Sequence, residues 1–142
     1  MKIKEFLHIY AIGAIAYMFI EVLWRGYTHW TMGAIGGICF TLIYLIELRL
    51  KRAHIFKRAF LSALCITSVE FLSGLIINRV LNLNVWDYSN MKFNLMGQIS
   101  LVYSVLWYFL CIPALLLSKL LRHRVFGVLA KYQKIGKAAY KQ

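Results

Sequence analysis

Acidic residues are scarce in this chain: 5 Asp+Glu stand against 17 Lys+Arg, a formal net charge of +12. Cysteine is scarcer still, and Cys39, Cys65 and Cys111 all fall inside apolar runs. Their odd number and lack of metal-ligand spacing imply no disulfide framework, so they read as small apolar residues. The sequence has no HxxxH or HExxH pair, Gly-rich phosphate loop, Ser-His-Asp order or paired-cysteine motif. These absences argue against a metal centre, a bound cofactor or nucleotide hydrolysis by this chain. Four membrane crossings with short loops use nearly all of the 142 residues, which leaves no room for a soluble catalytic domain.

What is abundant is apolar surface. Hydrophobic residues make up 61% of the chain and aromatics 15%, with a mean hydropathy of +0.66. A water-soluble domain of this size buries only about 70% of its unfolded surface and could not hide so much. Apolar runs over about 6–23, 32–48, 59–80 and 99–118 approach the roughly 20 residues that cross a hydrocarbon core. The expected fold is all-α, a polytopic membrane four-helix bundle over 1–118, followed by a basic tail over 119–142. All the basic residues except Arg25, Arg79 and Lys92 lie at the chain ends or in the 47–58 connection. The positive-inside rule therefore places both termini in the cytoplasm. A cleavable signal is disfavoured, because the first apolar run continues past Ala14-Ile15-Ala16 to Leu23. Short loops suit a bacterial inner membrane.

On a helical wheel Leu121, Val125, Val128, Leu129, Tyr132, Ile135 and Ala139 share one sector. Arg122, Arg124, Lys131, Lys134, Lys137 and Lys141 occupy the rest. This pattern predicts a basic amphipathic interfacial helix that lies on the anionic lipids of the inner leaflet. No nucleic-acid role is expected, since topology alone accounts for the basic charge.

The informative residues are those that lipid penalises. Glu70 falls near the middle of the third run, where an ionised carboxylate is costly and must face something other than lipid. Thr67, Ser73, Gly74 and Asn78 continue a polar stripe from it. A structural network, in which Glu70 meets Asn78 or an arginine, competes with a ligand or proton role. Glu21 stands four residues before Arg25, a spacing at which the two can pair. Glu47 sits beside Arg49, where a local charge pair is expected. Gly33, Gly36 and Gly37 form a close-packing face in the second run, as Gly97, Ser100 and Ser104 do in the fourth. Trp24, Tyr27, Trp30, Trp86 and Tyr88 suit an interfacial belt or the cap of a cavity. The expected ligand-binding set is Glu21, Arg25, His29, Trp30, Glu70, Asn78, Trp86, Asp87, Tyr88, Asn94 and Gln98, with no metal.

Two strings carry a resemblance. One runs Glu21-Val22-Leu23-Trp24-Arg25-Gly26-Tyr27-Thr28-His29-Trp30-Thr31-Met32 and continues to Gly36-Gly37. The other runs from Glu70-Phe71 through Gly74 and Asn78 to Val85-Trp86-Asp87-Tyr88-Ser89, then Phe93-Asn94 and Gly97-Gln98-Ile99. Over about 10–118 the chain resembles the small four-span membrane proteins described as "putative ABC-transporter type IV", a family similar to a group of animal transmembrane proteins. Lys92 stands where such sequences often carry a proline. The chain has no Walker A sequence, so an ABC role implies a separate ATPase and a homodimer of this chain.

The leading functional expectation is binding or transport of a small polar or amphiphilic molecule through an outer-leaflet polar cavity centred on Glu70. A membrane-embedded enzyme acting on a lipid head group or isoprenoid is the first alternative, with Glu70 or Asp87 as acid/base and His29 as partner. A non-catalytic membrane partner or assembly subunit is the second. No catalytic residue is assigned.

Overall fold

The computed structural model describes residues 3–127. Helix α1 spans Ile3–Arg25, α2 Trp30–Arg49 and α3 Ile55–Gly74. A π-helical turn, Leu75–Val80, prolongs α3. A short hairpin follows, β1 Asn94–Leu95 against β2 Ile99–Ser100, paired antiparallel with Asn94 opposite Ser100. Helix α4 spans Leu101–Leu120 and is prolonged by a second π-helical turn, Leu121–Phe126. All four helices are long and apolar enough to cross a membrane. At about 1.5 Å per residue even the shortest covers the roughly 30 Å hydrocarbon core. Such helices satisfy their own backbone hydrogen bonds, which lipid cannot do. The chain is an integral membrane protein of the all-α class.

The helices share burial unequally. Within its apolar window α2 is 67% buried, whereas α1 and α4 are each 17% buried. Helix α2 is therefore the hub. It packs against α1 along its length and also touches α3 and α4, while α3 and α4 pack on each other. Large apolar side chains such as Ile15, Phe19 and Leu23 of α1 and Phe109, Leu116 and Leu120 of α4 stay exposed, the composition that lipid requires.

The α1–α2 pair is close because glycines permit it. A Cβ on Gly36 would collide with the Tyr17 side chain, one on Gly33 with Met18, and one on Gly37 with the Tyr10 ring. Lipid offers no hydrophobic drive between helices, so this tight van der Waals fit is what holds the pair. The fourth helix differs from expectation. Gly97 lies outside it, in the hairpin at φ +70°, and Ser100 is its N-cap, accepting from the Tyr103 N–H. Ser104 remains on α4, where it back-bonds to the Ser100 carbonyl and receives the Thr67 hydroxyl at 3.3 Å.

Two ends of the bundle can be distinguished. At the terminal end, where the chain begins and α2 turns into α3, Glu47 is 2% exposed. Its partner is not Arg49. Two residues along a helix the side chain points elsewhere, and Glu47 instead meets Arg58 of α3 and, at 3.5 Å, Arg122 beyond α4. The Tyr44 hydroxyl donates to Glu5 of α1 at the same end. Phe126 packs edge-on against Tyr44 and His8. The chain thus stays helical past 118, and Arg122 turns back to the bundle while Arg124 is exposed. The expected lipid contacts Lys131, Lys134, Lys137 and Lys141 lie outside the described residues.

Candidate functional site

At the other end, the loop end, residues 81–100 fold over the bundle. The chain leaves α3 through the π-helical turn and reverses with Asn82 and Asn84 at positive φ, +52° and +48°, a conformation asparagine adopts more readily than most residues. It then inserts Val85 and Trp86, 8% and 7% exposed, into the bundle.

Polar groups lock this insertion. Asn78 accepts the Val85 N–H at 2.8 Å and donates to Gln98 Oε1 at 3.0 Å. The Trp86 indole N–H donates to the Gln98 carbonyl at 3.0 Å. Gly74 makes room, since a Cβ there would strike Gln98 and crowd Trp86. From α1, Arg25 donates to the Val85 carbonyl at 3.0 Å and pairs with Glu21 at 2.7 Å. The Thr28 hydroxyl donates to the second Glu21 oxygen at 2.6 Å. Asn78, Gln98, Trp86, Glu21 and Arg25 are thus brought into one lid-fastening network.

Glu70 stands apart from that network and is 6% exposed. Its partners are neither Asn78 nor an arginine. The Tyr88 hydroxyl donates to Oε1 and the Trp107 indole N–H to Oε2, both at 3.0 Å. Arg25 is committed as described, and Arg79 donates to the Met96 carbonyl. The expected stripe also divides: Ser73 back-bonds to Val69, and Thr67 reaches Ser104. Tyr88 stacks on Tyr103, with ring centroids 4.5 Å apart. Burial, and after it the neighbouring Glu70 charge, hold the Tyr88 phenol well above its usual range, so it remains a donor.

Beneath the lid lies a cavity of about 250 Å³. Its walls come from α1 at Gly13, Tyr17 and Ile20, from α2 at Ile35, Cys39 and Phe40, and from α4 at Trp107, Cys111 and Ala114. Glu70 and Ile66 reach it from α3, and Trp86 from the lid. The Tyr17 and Trp107 rings stack at 5.7 Å. Glu70 is the one charged side chain in this wall.

The cavity beneath the lid differs in character from the polar one expected from the sequence. Of the expected ligand set only Glu70 and Trp86 line the space, which is otherwise nearly all apolar. Tyr88 touches it indirectly by holding Glu70. Asn94 ties the hairpin, accepting the Gly97 N–H at 3.0 Å and donating to Met91. Asp87 is exposed and accepts from the Ser89 hydroxyl and N–H, which hold its carboxyl below the usual range. His29 caps α2, with Nδ1 near the Thr31 N–H and hydroxyl. Trp30 is 69% exposed, and Trp24 and Tyr27 are exposed as well. No group of three metal-ligating side chains occurs among the described residues. Tyr17 and Trp107 belong to the site but not to the expected set. The signal for Trp107 was its place inside an apolar run, since membrane tryptophans favour the interface.

The fold and this site define a polytopic helical membrane protein with an intramembrane carboxylate at a cavity. The chain matches the family described as "Putative ABC-transporter type IV" over residues 3–139, and it belongs to that family. No solved structure matches it.

Proposed function

We propose that this protein binds, as part of a transport cycle, an amphiphilic molecule whose apolar part occupies the cavity between α1 and α4 and whose polar end meets Glu70. The observation that carries this reading is the single carboxylate in an otherwise apolar wall. Buried ionisable groups in membranes mark ligand and ion paths more often than scaffolding. An apolar pocket with a few convergent polar groups is the usual form of a small-molecule site. The family description supports a transporter-related role. An ATPase, if it drives the cycle, is a separate chain, and a homodimer of this chain would form the translocation unit. The lysines and arginines of the terminal end support a cytoplasmic placement of both termini, with the tail on anionic lipid, and the short loops suit a bacterial inner membrane.

A fatty-chain photoprobe tests the reading. Saturable labelling of Cys111, which is 1% exposed, is expected in the wild type. Ala114→Phe, which fills the cavity wall, should abolish it. Labelling confined to the lipid-facing side chains, with none that saturates at the cavity, would remove the proposal.

The non-catalytic partner reading draws on one observation: both Glu70 oxygens already accept a hydrogen bond and fasten the lid to α4. Under it, Glu70 substitutions would change lid stability, and the wild-type cavity would show no saturable labelling.

A further inference from the structure

The chemical class of the ligand follows from what surrounds Glu70. Neither of its hydrogen-bond donors is charged: one is a phenol and the other an indole. The ion pairs among the described residues join Arg25 to Glu21, and Arg58 and Arg122 to Glu47. Arg79 faces the Met96 carbonyl. Glu70 is therefore a buried acid supplied with donors but with no counter-cation among the described residues. A carboxylate offers about four lone-pair positions, so two hydrogen bonds leave it room to meet a further partner.

Besides Phe40, three aromatic rings border the same space: Tyr17, Trp86 and Trp107. The faces of such rings carry negative potential and attract cations, most strongly when water is excluded, which is how aromatic cages hold quaternary ammonium groups. The Trp107 ring stands beside the acid, since its N–H donates to Glu70, and it stacks with Tyr17 along the same wall. An anionic head group would instead meet the carboxylate and an aromatic wall, with no arginine or lysine among the described wall residues to receive it. Away from these groups the cavity is walled by Phe40, Ile43, Ala114 and Leu117. The stretch of α4 from Trp107 to Leu117 measures about 15 Å at 1.5 Å per residue. That length suits an alkyl chain of moderate size.

We infer that the cavity takes a cationic amphiphile, an organic ammonium head seated between Glu70 and the Tyr17, Trp86 and Trp107 rings with its hydrocarbon chain along α4. This inference rests on the amphiphile-binding reading above and gives it a charge preference. The head group supplies the counter-cation that Glu70 lacks, and the rings exclude water from the pair. The lid is part of the site, since Trp86 closes the space and Tyr88 orients the acid.

The test uses three probes with the same ten-carbon chain: decyltrimethylammonium, decyl maltoside and decyl sulfate. Binding to the full-length protein in lipid nanodiscs is measured by titration calorimetry. The wild type should bind the cation about tenfold or more tightly than the neutral probe, as expected for a desolvated charge pair with cation–π support. The sulfate should bind most weakly. Glu70→Gln keeps an acceptor for Trp107 and an amide for Tyr88, so the fold is retained and only the preference for the cation should disappear. Tyr17→Leu keeps the Cβ that packs on Gly36 and should weaken cation binding severalfold more than it weakens binding of the neutral probe. Equal binding of all three probes by the wild type would overturn the cation inference and leave amphiphile binding standing. Binding of none would overturn both. A cation preference that survives Glu70→Gln would also overturn the assignment.

Discussion

Glu47 and Glu70 are both buried acids in membrane-spanning helices, yet their surroundings differ in kind. Glu47, at the terminal end, is enclosed by Arg58 and Arg122 from two other helices and stands outside the cavity beneath the lid. Glu70, toward the loop end, meets only neutral donors and faces an open volume. Burial alone therefore does not distinguish a structural acid from one available to a ligand. The charge balance around it does. A closed ion pair ties helices together and has nothing left to offer, whereas an acid held by a phenol and an indole retains capacity for a cation.

The contrast can be broken by substitution, and the largest effect belongs to the terminal end. Glu47→Ala leaves the partly buried Arg58 and Arg122 without their acid, a loss of about 3 kcal/mol, the low end for a buried pair. A drop in the thermal unfolding midpoint of the detergent-solubilised protein would report it, and Glu47→Ala as stable as wild type would show that the pair does not hold the helices. Glu70→Ala strands the Tyr88 hydroxyl and the Trp107 N–H, for which about 2 kcal/mol is expected. Glu70→Gln should cost less than half of that in the same assay. A smaller effect, about 1 kcal/mol, is expected for Asn78→Ala, which frees the buried Val85 N–H. It should appear as faster hydrogen exchange at Val85 and Trp86 with α1 unaffected.

The smallest effect concerns pH at the exposed rim. Hydrogen bonds from Ser89 hold the Asp87 carboxyl below its ordinary range. Because the folded value is the lower one, the contribution is complete above the unfolded value of about 3.9 and is lost as pH falls through the folded value. Exchange protection of the 87–97 turn should therefore decline below about pH 4 in the wild type, and Asp87→Asn should lack that dependence.

Much of the architecture was legible in the sequence because lipid imposes a strong pattern, apolar runs of helical length. The Glu21–Arg25 pair was legible for the same reason that helical neighbours are, since their spacing fixes the contact. Glu70 was conspicuous through its cost in hydrocarbon. Its partners were hidden, because Tyr88 lies 18 residues away and Trp107 37 residues away. They meet only after Asn82, Asn84 and the π-helical turn have folded the lid back. Glu47 shows the limit of proximity: Arg49 was near in sequence, but the helix turned it away and brought in Arg58 and Arg122. The apolar character of the cavity was also hidden. The polar residues that seemed to line it are spent on fastening the lid, and the space they leave is walled by side chains that look like ordinary lipid-facing ones in the sequence.

The central claim is that Glu70 serves a ligand and Glu47 serves the fold. Native mass spectrometry of gently extracted wild type, Glu70→Gln and Glu47→Gln tests it directly. The account predicts a stoichiometric small-molecule adduct on the wild type, retained by folded Glu47→Gln and lost from folded Glu70→Gln. An adduct that survives Glu70→Gln, or none on the wild type, would contradict it.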